Sequence, residues 1–235
     1  MMTITRLIYS YFENFISLIF PRICQACGEH LVKTEAHFCG SCILAFPYTD
    51  YHLNRENKLA KQFWGTVKVE SAAAFLFFNT AGKVQNMMHQ LKYNNQPQVG
   101  IALGKMYGEQ LKTNPLYQTA DAIIPVPLHP KKLLIRGYNQ SEQFAIGLAE
   151  SLNIPVVTDL LLRDKFADSQ TTKSRLNRFD NMDAVFVAVA DKNILKKVLL
   201  VDDTITTGAT LVACTLALQD IGIEEINIVG IAFAG

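Results

Sequence analysis

The sequence predicts an α/β protein built on a parallel sheet with helices on both faces. Ala122–Val126, Lys197–Val201 and Glu225–Phe233 are runs apolar at most positions, where half-exposed strands would alternate. Segments with helical spacing lie between them, so strands and helices take turns along the chain. A third observation places a site. Asp202 and Asp203 follow directly on the KVLLV strand, at the carboxyl edge where open parallel sheets bind ligands. The 235 residues are enough for a domain with a substantial core and a smaller appendage. With 49% hydrophobic residues the chain is not disordered, and a net charge of +1 does not imply a globally basic nucleic-acid binder.

Four segments are expected. In residues 1–20, Leu7, Ile8, Tyr11, Phe12, Phe15, Ile16 and Ile19 recur at helical spacing, which predicts an amphipathic helix. Glu13 and Asn14 interrupt the run, Pro21 follows it and no small-residue cleavage site appears, so a signal peptide is not indicated. The run is also too short to span a bilayer. Two readings stay open for it: packing on the protein itself, or docking on a membrane surface or a partner protein. The expected location is cytoplasmic, peripheral to the inner face of the membrane if the helix docks there. Residues 21–50 form a cysteine module. Residues 51–118 form a connecting, hood-like region, with one or two strands in Val67–Phe78 and helices at Lys83–Lys92 and Val99–Thr113. Residues 119–235 hold the sheet. There the helix Asn139–Leu152 carries Phe144, Ala145, Leu148 and Ala149 on one face, Ile154–Leu162 contains a short strand, and Thr210–Ile221 is a helix.

The module contains Cys24-Gln-Ala-Cys27 and Cys39-Gly-Ser-Cys42, two C-x-x-C pairs separated by eleven residues. Such knuckles can set four thiolates tetrahedrally around Zn²⁺, and four sulfurs leave no open position, so the site is structural. Gly28 and Gly40 suit tight knuckle turns. His30 and His37 are alternative ligands, and a redox dithiol is the weaker reading. Cys214 sits among leucines and reads as a core residue.

The stretch Val198–Thr210, VLLVDDTITTGAT, carries the most chemistry. Two adjacent carboxylates at a strand end are costly unless they have a task. Thr204, Ile205, Thr206, Thr207, Gly208, Ala209 and Thr210 form a tight turn into a helix. Backbone N–H groups, hydroxyls and the positive end of the helix dipole would meet a 5′-phosphate there. Asp202 and Asp203 would accept from ribose hydroxyls. The G-x-x-x-x-G-K-[ST] pattern of a P-loop is absent. Two further strings add cations. In Pro125–Ser141, Lys131 and Arg136 lie at the same carboxyl edge and are candidates for a pyrophosphate. In Gln170–Arg178, Arg175 and Arg178 belong to a polar, basic loop.

Along its whole length the VLLVDDTITTGAT string resembles the motif by which type I phosphoribosyltransferases bind phosphoribosyl pyrophosphate (PRPP). That resemblance implies a parallel-sheet type I phosphoribosyltransferase fold. Thr206 stands where the 6-oxopurine salvage enzymes carry an aspartate base, which speaks against purine salvage. Met1-Met2 stands where amidophosphoribosyltransferases begin with a nucleophilic cysteine. The wider set of strings resembles the ComF family of competence proteins. It comprises the cysteine module, Gln90-Leu91-Lys92-Tyr93, Pro125-Val126-Pro127 with Arg136-Gly137-Tyr138-Asn139-Gln140, and Gln170-Thr171…Ser174-Arg175…Arg178…Asn181. The resemblance implies PRPP binding with Mg²⁺, a role in DNA uptake and natural transformation, and either phosphoribosyl transfer to an unidentified acceptor or a non-catalytic adaptor that binds single-stranded DNA. A competence-machinery protein is an implied partner. No catalytic group is assigned.

Overall fold

The computed structural model describes residues 21–79, 82–164, 185–189 and 195–235. The expected helix at 1–20 and the string holding Arg175 and Arg178 lie outside them. The helices are α1 (Gly40–Leu44), α2 (Lys58–Lys61), α3 (Lys83–Tyr93), α4 (Pro97–Leu111), α5 (Pro115–Gln118), α6 (Pro130–Arg136), α7 (Gln140–Leu152) and α8 (Ala209–Asp220). The strands are β1 (Ser71–Phe77), β2 (Ala122–Pro125), β3 (Leu161–Asp164), β4 (Val185–Ala188), β5 (Lys197–Ile205) and β6 (Glu225–Phe233).

The main sheet has the order β1-β6-β5-β2, and each neighbouring pair is parallel. Continuous apolar strands are what two covered faces require, and the burial shows both faces. Leu199, Val201, Val229 and Ile231 face one core with α3, α4 and α7. Val198, Leu200, Ile226 and Ile228 face the other with Leu211, Cys214 and Leu218 of α8. Both cores are closed to water, and each large side chain that they bury contributes roughly 1.5–3 kcal/mol. The fold is thus the parallel α/β class expected, with the loop of interest at the carboxyl edge.

The segment 51–118 does more than connect. It supplies β1, which joins the sheet beside β6 with Ser71 opposite Asn227 and Phe77 opposite Phe233. It also supplies α4, which packs on α7 so closely that their backbones nearly touch. A Cβ added at Gly104 would lie 2.9 Å from Gly147 Cα, and only hydrogen-bearing glycines allow that approach. Pro130–Arg136, to which the sequence assigned no element, is helical. Pro130 sits in its first turn, and His129 Nδ1 accepts from Lys131 N at 3.1 Å. This helix buries none of its residues. β3 and β4 form a separate antiparallel pair flanking residues 165–184. Among the described residues no helix is long and apolar enough to cross a membrane.

Candidate functional site

The site begins where β2 stops. β2 pairs with β5 only as far as Pro125 opposite Val201, while β5 continues along β6 to Ile205 opposite Phe233. Asp202 and Asp203 therefore emerge on a strand that is still held on one side and open on the other. Gly230 lies opposite Asp202, and a Cβ there would come within 2.7 Å of Ile205 Cδ1, so a bare glycine is what lets the strand run on. Thr206 and Thr207 then turn the chain into α8. Gly208 caps that helix with φ 75°, a left-handed conformation natural to glycine. A Cβ at Gly208 would sit 3.0 Å from the Phe63 ring, which packs beneath the turn. Asp202 and the run from Thr204 to Leu211 line a cavity of about 40 Å³. Every residue of the expected phosphate turn except Asp203 lines it. That volume exceeds what a single water needs, and it opens onto the positive end of α8.

Asp202 is the most perturbed group here. Its carboxyl lies deep in the molecule, although part of the residue reaches solvent. Burial first, and the charge of Asp203 second, push it up to about 7. Ser141 Oγ at 3.0 Å and the Asp203 N–H at 2.8 Å both donate to Asp202 Oδ1. Asp203 takes an ion pair instead: Lys92 Nζ is 3.1 Å from Asp203 Oδ1 and donates to Thr204 Oγ1 at 3.0 Å.

A prediction follows from the sign of the Asp202 shift. Its folded value near 7 lies above the ordinary aspartate value of 3.8. The folded state therefore holds the proton more tightly, and stability contributed by protonation is lost as pH rises from about 4 through about 7. Asp202→Asn should remove that slope. Allowing for partial solvent screening, the variant should gain about 2 kcal/mol over wild type at pH 8 and almost nothing at pH 4. Urea midpoints across that pH range measure it. Parallel pH profiles of the two proteins would contradict the assignment.

Three strings that the sequence singled out meet at the Asp pair. Asn139 donates from Nδ2 to Val126 O at 2.9 Å and accepts from Ser141 N at 3.2 Å, which caps α7 and sets Ser141 on Asp202. The Tyr138 hydroxyl donates to Leu91 O. The Arg136 guanidinium lies 5.3 Å over the Tyr93 ring and donates to Gln140 Oε1 at 2.7 Å. Lys131 is exposed on α6. Arg136 is thus committed to Tyr93 and Gln140, and Lys131 stands at the surface. Among the described residues the cation that touches the motif is Lys92, which the sequence showed only as part of the Gln90–Tyr93 string.

The second cluster is Cys24, Cys27, Cys39 and Cys42, whose sulfurs all lie within 4.8 Å of one another. Tetrahedral Zn²⁺ with bonds of about 2.3 Å sets sulfurs roughly 3.8 Å apart. Cys27 Sγ and Cys39 Sγ are 3.8 Å apart. Cys24 Sγ accepts from Cys39 N at 3.3 Å. Ser41 Oγ first, then the Cys42 N–H, stabilise the Cys39 thiolate and bring its pKa down to about 6, while burial pushes the Cys42 thiol up. These donors fit a zinc ion. Neither His30 nor His37 belongs to the cluster. Gly28 has the left-handed φ of 81° expected of a knuckle. Gly40 does not; it opens α1, and its N–H donates to Glu35 Oε1 at 2.7 Å. Asn86 of α3 donates to Ala26 O at 3.0 Å, tying the knuckle to the helix that carries Lys92.

The chain is 28% identical over 222 residues to Competence protein F of Haemophilus influenzae, covering 90% of this chain and 96% of that one. It is 28% identical over 157 residues to Competence protein ComFC of Streptococcus pneumoniae, with 67% and 66% covered. It is 26% identical over 197 residues to the DNA utilization protein YhgH of Escherichia coli (strain K12), with 80% of each covered. Among solved structures, the glutamine PRPP amidotransferase of B. subtilis aligns with 60% of this chain and 30% of its own, at 22% identity and a TM-score of 0.39. No family model matches. The cysteine cluster, the Lys92 and Arg136–Ser141 strings gathered on the Asp pair, and the competence relatives agree with one another: the chain is similar to the competence proteins of the ComF family.

Proposed function

We propose that the protein binds PRPP at Asp202–Thr210 and serves in the uptake or use of DNA. The observation that carries this reading is the Asp pair at the carboxyl edge of β5, followed by a turn that opens onto the start of α8. Asp202 and Asp203 accept hydrogen bonds from the ribose 2′- and 3′-hydroxyls. Thr204, Ile205, Thr206, Thr207, Gly208, Ala209 and Thr210 surround the 5′-phosphate with N–H groups and hydroxyls. Lys131, Arg136, Arg175 and Arg178 are the pyrophosphate candidates from sequence. Of these, Arg136 would have to leave Gln140 and Tyr93 to reach a ligand. The carboxylate oxygens of Asp202 and Asp203 are hard donors that would suit Mg²⁺, and the ion would supply charge neutralisation for the pyrophosphate. The four cysteines hold structural Zn²⁺.

The role in DNA uptake rests on the relatives, two of which are competence proteins and one a DNA utilization protein. A second reading is an adaptor that binds single-stranded DNA and senses PRPP in the same pocket. The exposed Tyr93 ring bearing Arg136, with Lys131 and Lys132 exposed on α6, favours it. A pyrophosphate-release assay with PRPP, a panel of nucleobases and single-stranded DNA separates the two. Release establishes a transferase. Binding without release, together with DNA affinity that falls steeply with salt, establishes the adaptor.

A further inference from the structure

Resting on the PRPP reading above, we infer that Lys92 is a ligand-binding residue of the site and holds a phosphoryl oxygen of the phosphorylated ribose. Three observations carry this. First, the phosphate turn itself supplies only dipoles and hydroxyls, and a dianionic phosphate or a pyrophosphate calls for a cation. Among the described residues, Lys92 is the cation whose ammonium reaches the motif's side chains, 3.1 Å from Asp203 Oδ1 and 3.0 Å from Thr204 Oγ1. It stands at the junction between the carboxylates that suit sugar hydroxyls and the turn that suits a phosphate.

Second, an ammonium has three N–H donors. Asp203 and Thr204 take two of them. The third is left to a ligand, and the side chain keeps 21% of its surface open to receive one.

Third, Lys92 is placed by structure on both sides. The Tyr138 hydroxyl holds Leu91 O, and Arg136 lies over Tyr93, so the residues either side of Lys92 are pinned to the segment that leads into Ser141. Six residues back, Asn86 is tied to Ala26 in the cysteine knuckle. A solvated surface lysine has no such framing, and most exposed ion pairs contribute little. Here the pair is largely shielded, with Asp203 at 15% exposure.

The test is calorimetry on the full chain with three probes: PRPP with Mg²⁺, ribose 5-phosphate, and pyrophosphate with Mg²⁺. Lys92→Met keeps the length of the stem and removes the charge. It should weaken PRPP at least about 10-fold. It should also weaken one of the two fragments, ribose 5-phosphate if the contact is to the 5′-phosphate and pyrophosphate if it is to the leaving group. Lys92→Arg should retain most of the affinity. Unchanged or tighter PRPP binding by a folded Lys92→Met that keeps its zinc overturns the inference. A wild-type protein that binds none of the probes sinks the PRPP reading itself. If Lys92→Met does not fold, the wild-type lysines are labelled by reductive ¹³C-methylation, and the Lys92 signal is assigned with Lys92→Arg. That signal must shift on adding PRPP, and a static signal in protein that binds PRPP overturns the inference.

Discussion

Cys24→Ser with Cys27→Ser should cost the protein its metal and much of its stability. Zinc content should fall from one per chain to near zero. Structural zinc sites in small modules are worth on the order of 10 kcal/mol of apparent folding energy. Here the module does not stand alone. Phe38 and Phe46 are buried in the same core as Tyr107 and Phe144, and their rings meet edge to face 5.5 Å apart. That packing should preserve part of the module when zinc leaves, so the expected loss is about 4 kcal/mol, or roughly 10 °C in Tm for a chain of this size. The effect should also reach the Asp pair. Ala26 lies between the two mutated cysteines and holds Asn86 of α3, and α3 carries Lys92. PRPP affinity should therefore weaken along with stability. Reduced wild-type protein with no metal, or a double variant with unchanged Tm, would contradict the reading of the four cysteines.

Asp202→Ala with Asp203→Ala should abolish PRPP binding and leave zinc at one per chain. Hydrogen bonds to ionised groups contribute about 1.5–3 kcal/mol each. Loss of two carboxylate contacts should thus weaken binding on the order of 100- to 10,000-fold. Global stability should not collapse, because Asp202 is a costly group where it sits. Burial and Asp203 raise its pKa to about 7, and its Ser141 and Asp203 N–H partners only partly offset that. Two such neighbours kept side by side are what a ligand-binding site requires. Calorimetry with PRPP and Mg²⁺, and metal analysis of the same sample, read both halves of the prediction. Retained affinity would remove Asp202 and Asp203 from the binding site.

Much of this was legible in the sequence because it is written locally. β6 is a continuous apolar run, and it spans Glu225–Phe233 as expected. The two C-x-x-C pairs fix which residues cluster, and the VLLVDDTITTGAT string marks the turn at Gly208. What was not legible depends on long-range pairing. Nothing in Ser71–Phe77 shows that it joins β6 about 150 residues later. Thr204 and Ile205 read as the start of the turn, yet the strand runs on through them because Gly230 leaves room for Ile205. Pro130–Arg136 looks like a loop to a reader who weighs proline alone, since its cap comes from a histidine. Lys92 carried no local sign of its place at the Asp pair, because the helix that presents it is fixed by Tyr138 and Asn86. The Gln90–Tyr93 string was the one signal that could have raised the question.

The most direct measurement is a calorimetric titration of the wild-type chain with PRPP in the presence of Mg²⁺. Saturable binding of one PRPP per chain is expected. No binding at millimolar PRPP, in folded protein with its zinc in place, would contradict it.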